Sequence, residues 1–293
     1  MQQKWISALL RTMTVGSALL CGMIAVSVIG FIVWHGCPTL GAANMPGDLL
    51  GGSGNLGSPA SGWAEPAGGL NMSWLPALWN TLFMIAVVLL PAVPIGAGAA
   101  IFLSEYARRG SRFAKTVSLA AETLAGIPSV LFGLFGFLLF VLRMGWGYSF
   151  LAGVCTLILM VLPLIIRTTQ EALRTVPAGQ REASFGLGAG KGRTVLRVLL
   201  PAALPGMLAG ILLAIGRITG ESAALLFTAG TGTETVDGIF SSAATLAVHL
   251  YAMLVEGQSL EGAYQTALVL LLLTAALNLC VSLLTAHRGG HSK

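Results

Sequence analysis

Charge is what this sequence has least of. Lys, Arg, Asp and Glu make up 9% of its 293 residues, against about 25% in an ordinary soluble domain, and the mean hydropathy is +0.84. A soluble globular fold is excluded, because too few polar side chains exist to cover its surface. Histidine and cysteine are scarce as well, at four each. His35, His249, His287 and His291 have no ligand spacing, and Cys21, Cys155 and Cys280 fall in separate apolar runs, with only Cys37 near an outer face. Neither a metal cluster nor a disulfide framework is implied. No nucleophile motif occurs, which argues against a membrane enzyme.

Nucleotide-binding signatures are missing too. The stretch from Glu182 to Thr194, EASFGLGAGKGRT, crowds glycines around Lys191. It invites comparison with the phosphate loop G-x-x-x-x-G-K-[ST], in which glycine amides close on phosphates and a hydroxyl holds magnesium. Placing Gly190-Lys191 on the G-K pair puts Phe185 where glycine is required and Gly192 where Ser or Thr is required. The dinucleotide pattern G-x-G-x-x-G also fails, since Gly186-Leu187-Gly188 meets Lys191 at its last position. No cofactor site is expected in this chain.

Long uncharged runs are what the chain does have: Thr12 to Trp34, Pro66 to Ser104, Thr123 to Leu142, Met144 to Ile166, Val198 to Gly216 and Gly262 to Ala286. A spanning helix takes about 20 mostly apolar residues. An all-α polytopic membrane protein with six transmembrane helices is therefore expected, the second using Trp79 to Leu103. The first, residues 12–34, exceeds the roughly 7 to 15 apolar residues of a cleaved signal core and reads as a retained helix.

Cations set the orientation. Lys4 and Arg11 precede the first span, and Arg108, Arg109, Arg112 and Lys115 follow the second. Arg167, Arg174, Arg181, Lys191, Arg193 and Arg197 follow the fourth, and Arg288 and Lys293 follow the sixth. Only Arg143 and Arg217 of the 16 Lys and Arg stand apart. The outer loops, residues 35–73 and about 230–261, carry Asp48, Glu65, Glu234, Asp237, Glu256 and Glu261 but no Lys or Arg. Residues 1–11 and 287–293 are therefore expected in the cytoplasm. The pI of 9.3 reflects this asymmetry, and no nucleic-acid partner is implied.

Within this frame several segments stand out. The outer stretch from Gly36 to Met72 is rich in Gly, Pro, Ser and Asn, which predicts irregular structure and suits a flexible spacer or contact with an external partner. Pro91, Pro94, Gly96 and Gly98 either interrupt span two or let a neighbour approach closely. Gly126 and Pro128 should break span three, with Glu122 at the cytoplasmic edge. In cytoplasmic loop 171–200, Pro177 suits the first turn of a short helix, AGQREASF, that GLGAG ends. Thr194 can cap a second helix that becomes span five.

Arg217 and Glu221 lie inside the apolar sequence AIGRITGESAALLFTAG. An ionised side chain at the bilayer centre costs about 2.5 to 3.5 kcal/mol on insertion scales, so neither should face lipid. Four residues apart on one helix, they share a face and can pair with each other or with neighbouring helices. A structural ion pair is one reading. The other is a translocation path, with Arg217 attracting an oxyanion, Glu221 keeping that attraction from becoming a trap, and Ser222 and Thr228 offering hydroxyls.

The cytoplasmic loop resembles a known family. Glu182-Ala183-Ser184, then Gly188, then Val198-Leu199-Leu200-Pro201 are similar to the EAA-x3-G-x9-I-x-LP signature of membrane subunits of bacterial ABC importers. Ser184 replaces the second alanine and Val198 the isoleucine. A narrower resemblance, to PstA-type permeases of phosphate importers, runs from about Trp79 to Gly230. It rests on AAIFLSEYA, GIPSVLFGLFGF, LPLIIRTTQEALRTVPAGQREA, VLLPAALPGMLAGILLAIGR and TGESAALLFTAG. Ala224 stands where that family usually has proline, and GLGAGKG where it often has A-L-G-A-[ST]-K-W.

The resemblance implies a type I ABC importer permease fold over residues 79–286, in the bacterial inner membrane. It implies a coupling helix, with Glu182, Ala183, Ser184, Gly188 and Pro201 on its motif, that docks on a separate ATPase. It also implies partners: a PstC-like permease, a PstB-like ATPase dimer that binds the ATP, and a PstS-like phosphate-binding protein. Other oxyanions in the same architecture, or an ATP-independent transporter using Arg217 and Glu221, are the competing readings. On the coupling reading, Glu182→Lys abolishes both co-purification of the ATPase and uptake. A variant that keeps both refutes it.

Overall fold

The computed structural model describes residues 2–42, 74–107, 111–255, 257 and 260–289. Most of the glycine-rich outer segment, with Asp48 and Glu65, and Arg108, Arg109, Glu256 and Lys293 lie outside the described residues. The described chain is helical: α1 (Gln2–Ala42), α2 (Trp74–Ile101, extended by a π-helical turn Phe102–Tyr106), α3 (Arg112–Ala125) and α4 (Ser129–Gly136, extended by Phe137–Arg143). Then come α5 (Phe150–Thr175), α6 (Ala178–Gly186), α7 (Lys191–Thr194), a π-helical turn Val195–Leu199, α8 (Leu200–Thr219), α9 (Ala223–Thr228), α10 (Leu246–Val255) and α11 (Leu260–Gly289).

Among the described residues five helices are long and apolar enough to cross a membrane: Arg11–Pro38, Trp74–Tyr106, Phe150–Thr175, Lys191–Thr219 and Leu260–Leu283. The pair Arg112–Ala125 and Ser129–Arg143 supplies a sixth if counted as one span, but the two arms meet at 101°. Gly126 and Ile127 donate to the carbonyls of Thr123 and Leu124 at 3.1 and 3.2 Å, and Pro128, with no N–H to satisfy, opens α4. The expected break in span three is thus a sharp corner.

Boundaries differ from the hydropathy reading where polar signals override it. Span four starts at Phe150 instead of Met144, because Ser149 caps it, its hydroxyl accepting from Ala152 N–H at 3.3 Å. It runs on to Thr175, with Arg167, Glu171 and Arg174 on its exposed side. Helix α1 continues past His35 to Ala42, and α2 begins at Trp74, ahead of Trp79. Helix α2 also passes through Pro91 and Pro94 unbroken. Its small face does the other thing expected of it: Gly96 lies where a Cβ would come 2.7 Å from Ile165 Cγ2.

Helix α5 is the centre of the bundle. Its Leu157, Met160, Val161 and Ile165 are all at most 2% exposed and pack with Met84 and Val88 of α2, Ile218 of α8 and Leu225 of α9. Lipid tails are as apolar as leucine, so such helices associate through close packing and hydrogen bonds more than through the hydrophobic effect. Gly133 and Gly136 of α4 show this: a Cβ on Gly133 would lie 2.7 Å from Ala224 Cα, and one on Gly136 would collide with Thr156 and Thr228. Because Gly133 opposes Ala224 and Gly136 opposes Thr228, α4 and α9 run in the same direction.

Near the start of α2, two buried side chains hold the segment between α9 and α10. Asn80 Nδ2 donates to the carbonyls of Glu234 and Ala244 at 2.9 and 3.2 Å, and its Oδ1 accepts from Val236 N–H at 3.1 Å. Thr81 Oγ1 accepts from Leu246 N–H at 2.9 Å. Helix α1 touches the rest through α11, where His35 stacks on Tyr264. Gly136→Leu is expected to cost roughly 1 to 3 kcal/mol as an overpacked site and to lower the thermal midpoint of the detergent-solubilised protein. Gly98→Leu, with open space around it, should leave that midpoint unchanged.

Candidate functional site

The turn between α5 and α8 is built from local rules. Helix α5 ends when Val176 turns extended, and Pro177, at φ −56° in the N-cap position, opens α6. Helix α6 ends as Leu187, Gly188 and Ala189 N–H donate back to Ala183, Phe185 and Ser184 carbonyls at 3.1, 2.9 and 3.1 Å. That closure needs Gly188 at φ +80°, a conformation that penalises any residue with a Cβ. The next helix starts earlier than Thr194. Gly190, extended, is its N-cap, and Thr194 sits one turn inside, donating to Gly190 O at 3.2 Å. Pro201 stands in the first turn of α8, behind the π-helical turn.

The motif residues divide by direction. Glu182, Ala183 and Gly188 are exposed, and so is Pro201. Ser184 is not: it is 8% exposed, and its hydroxyl lies 2.9 Å from that of Thr194, itself 1% exposed. The serine at the third motif position therefore faces inward and ties α6 to α7, and it offers no surface to a partner. What the turn presents beside Glu182 and Ala183 is apolar. Phe185 is 46% and Leu187 89% exposed. Sequence reasoning passed over both, although two large apolar residues in a cationic loop were the available signal.

Arg181, one residue before the motif, points back into the bundle. Its Nη2 lies 2.7 Å from Glu105 Oε1 in the π-helical end of α2 and donates to Leu173 O of α5 at 2.9 Å. Nearby, Arg167 bridges Glu122 and Glu171 at 4.0 and 3.2 Å. These three groups line, with Ser118, Ala121, Gln170 and Arg174, a polar hollow of about 150 Å³. Arg167, Glu122 and Glu171 are all more than half exposed, so this bridge is worth little in stability.

In the second candidate region the chain breaks where the sequence suggested one helix. Helix α8 stops at Thr219, and Gly220 separates Arg217 from Glu221, so they do not share a continuous helical face. Among the described residues these two side chains form no ion pair within 4.0 Å. The Glu221 carboxylate, in a residue 8% exposed, accepts from Ala224 N–H at 3.0 Å and so caps the start of α9. A carboxylate at that position satisfies an amide that α9 cannot satisfy itself and suits the positive end of its dipole. Arg217 is half-buried in the last turn of α8, the end that favours a cation. Ser222 is half-buried at the N-cap position with no side-chain cap bond. Thr228 is fully buried and donates to Ala224 O at 2.8 Å, so its hydroxyl hydrogen is engaged within its own helix.

Comparison with known proteins fits this architecture. The family model for the binding-protein-dependent transport system inner membrane component matches residues 92–288. The probable ABC transporter permease protein YqgI of Bacillus subtilis (strain 168) is 36% identical over 193 residues, 61% of this chain and 65% of that protein. The phosphate transport system permease protein PstA 1 of Mycobacterium tuberculosis (strain ATCC 25618 / H37Rv) is 34% identical over 211 residues, 71% of this chain and 68% of that protein. PstA of Mycobacterium leprae (strain TN) is 35% identical over 206 residues, 69% and 67%. The matched region thus spans about two thirds of these relatives.

Solved structures share the fold. An inward-facing MetNI methionine ABC transporter superposes with TM-score 0.61 at 21% identity, covering 73% of this chain and 95% of that one. A bacterial alginate importer gives 0.53 at 16%, covering 94% and 96%. With the EAA-like turn on an all-helical bundle of this shape, the chain belongs to the binding-protein-dependent transport system inner membrane component family, as an ABC importer permease of the PstA type.

Proposed function

We propose that this chain is the PstA-like half of an ATP-driven phosphate importer. The observation that carries the coupling part is the turn 178–194. It presents Glu182, Ala183, Phe185 and Leu187 outward while its own hydrogen bonds and Ser184 hold it rigid. A rigid turn with an apolar tip and one acid suits a cleft on another protein better than it suits water. The phosphate part rests on the mycobacterial relatives, which carry the name phosphate transport system permease protein.

On this reading the turn faces the cytoplasm, as do both termini, in a bacterial inner membrane. A PstB-like ATPase dimer binds and hydrolyses the ATP, since the glycine-rich stretch fails as a phosphate loop at Phe185 and Gly192. The permease itself is not catalytic. A PstC-like permease supplies the other half of the path, and a PstS-like protein delivers substrate to the outer face. Nucleotide-driven movement of the ATPases shifts the permeases between inward- and outward-open states, each favoured by a different ligand.

Along the path, Arg217 and Glu221 take separate roles. Arg217, beside the break at Gly220, is the cation that meets an oxyanion. Glu221 keeps α9 in place through its cap, with Ser222 free to add a hydroxyl and Thr228 serving packing. The second reading is another oxyanion or solute in the same architecture; YqgI, whose name specifies no substrate, does not support it over phosphate.

The test is uptake of labelled phosphate by the reconstituted complex. ATP-dependent uptake that excess arsenate, sulfate and molybdate compete with less well than unlabelled phosphate supports the phosphate reading, and preference for one of those anions establishes the second. Arg217→Gln should lower uptake at least ten-fold while the subunits still co-purify. Glu221→Ala should cost about 1 kcal/mol of stability, the usual size of a lost cap, whereas Glu221→Gln, whose amide oxygen can still accept from Ala224, should cost less. Thermal midpoints in detergent measure that difference.

A further inference from the structure

A coupling helix transmits force only through what fastens it to the spans. Ser184 and Thr194 fasten α6 to α7 and so to the start of α8. The second fastening is Arg181. From the inward side of α6 its guanidinium reaches two other elements at one point, the carboxylate of Glu105 at 2.7 Å and the carbonyl of Leu173 at 2.9 Å. Glu105 belongs to the π-helical turn that ends α2, and Leu173, fully buried, to the cytoplasmic end of α5.

Burial sets this ion pair apart from the other cytoplasmic ones. The side chains of Arg181 and Glu105 are 29% and 14% exposed, against 51% to 65% for the Arg167 bridges. Water screens Arg181 and Glu105 less, and removing one leaves the other charge partly buried without its partner, which is the costly outcome. The contact at 2.7 Å runs from Nη2 to Oε1. Neither Glu105 Oε1 nor Arg181 Nε completes an aligned hydrogen bond within the chain, so the contact is an ion pair more than a hydrogen-bonded clamp. The π-helical turn carrying Glu105 has a wider register than the α-helix before it, a form common at functional sites.

We propose that Arg181 and Glu105 form the joint that carries displacement of the coupling helix to the cytoplasmic end of α2, and that this joint sets how much substrate moves per ATP. This rests on the coupling function proposed above. Both are positioning residues: neither meets substrate nor faces the docking surface. Breaking the joint lets the ATPase cycle while α2 lags behind α6.

The experiment uses the full reconstituted complex with labelled phosphate and measures ATP hydrolysed per phosphate taken up. Arg181→Gln and Glu105→Gln are each expected to raise that ratio at least five-fold, because uptake falls more than hydrolysis. The double variant should be no worse than the more severe single one, since one joint can be lost only once. Arg181→Lys, which keeps the charge, should recover part of the coupling. Ratios unchanged in both single variants overturn the proposal, as do effects that multiply in the double variant. A raised ratio accompanied by loss of assembled complex in every variant overturns it in favour of a purely structural brace. Failure of the underlying function looks different: the unmodified complex then takes up no phosphate with ATP, before any variant is made.

Discussion

A backbone amide left unpaired in hydrocarbon costs several kcal/mol, and this constraint governs how the bundle can be interrupted. The chain breaks between Ala125 and Ser129 and between Thr219 and Ala223, and it solves the problem differently each time. At the first break proline removes the N–H that would have been orphaned, while Gly126 and Ile127 fold back on the preceding turn. At the second, Gly220 and Glu221 amides return to Gly216 and Ile218 carbonyls at 3.2 and 3.3 Å, and the Glu221 side chain takes the amide of Ala224. Each break yields a short helix, and the two short helices pack side by side through Gly133 and Gly136. An acid in an apolar sequence thus has a structural task before any transport role is considered.

The same constraint explains Asn80. The segment from Gly230 to Thr245 is irregular, so its backbone groups need partners that no helix supplies. One buried amide side chain provides three, to Glu234, Ala244 and Val236. Backbone exchanges between Ala243 and Ala229 and between Ala244 and Gly232 at 3.2 and 2.7 Å satisfy others. That irregular segment in turn fixes the start of α5, whose Phe150 and Leu151 amides donate to Ser241 and Ile239 at 2.8 and 2.9 Å.

Much of this was legible in the residues, and what was not has a common cause. Uncharged run length located the apolar helices, and Gly126 with Pro128 announced the corner in span three. Pro177 and the GLGAG stretch outlined α6 and its end, because proline geometry and a positive φ at Gly188 are properties of single residues. Direction was not legible. Ser184 read as part of the docking motif and is buried, since only Thr194 in three dimensions says which way it points. Arg217 and Glu221 read as neighbours on one helix, because four-residue spacing assumes continuity that Gly220 ends. Asn80 went unread because its partners lie 154 to 164 residues away, and helix α10 because its 10 residues are too short a run to register as a span.

These fastenings converge on α2. One end is held by Asn80 and Thr81 to the segment that positions α5 and α10, and the other by Glu105 to α6. Between them the apolar helix from Trp74 to Tyr106 has 33 residues, about 50 Å at 1.5 Å per residue. It packs along α5, and Pro91 and Pro94 leave it helical throughout. Pro91 and Pro94 each remove one intrahelical hydrogen bond from its middle, so close packing on α5 is what holds it helical there. On the coupling function proposed above, a shift at Glu105 passes along the contact of α2 with α5 toward Asn80 and the irregular segment it holds. Beside α2 lie the two breaks, at Gly126 and Gly220, whose short helices α4 and α9 meet where Gly133 and Gly136 of α4 approach Ala224 and Thr228 of α9.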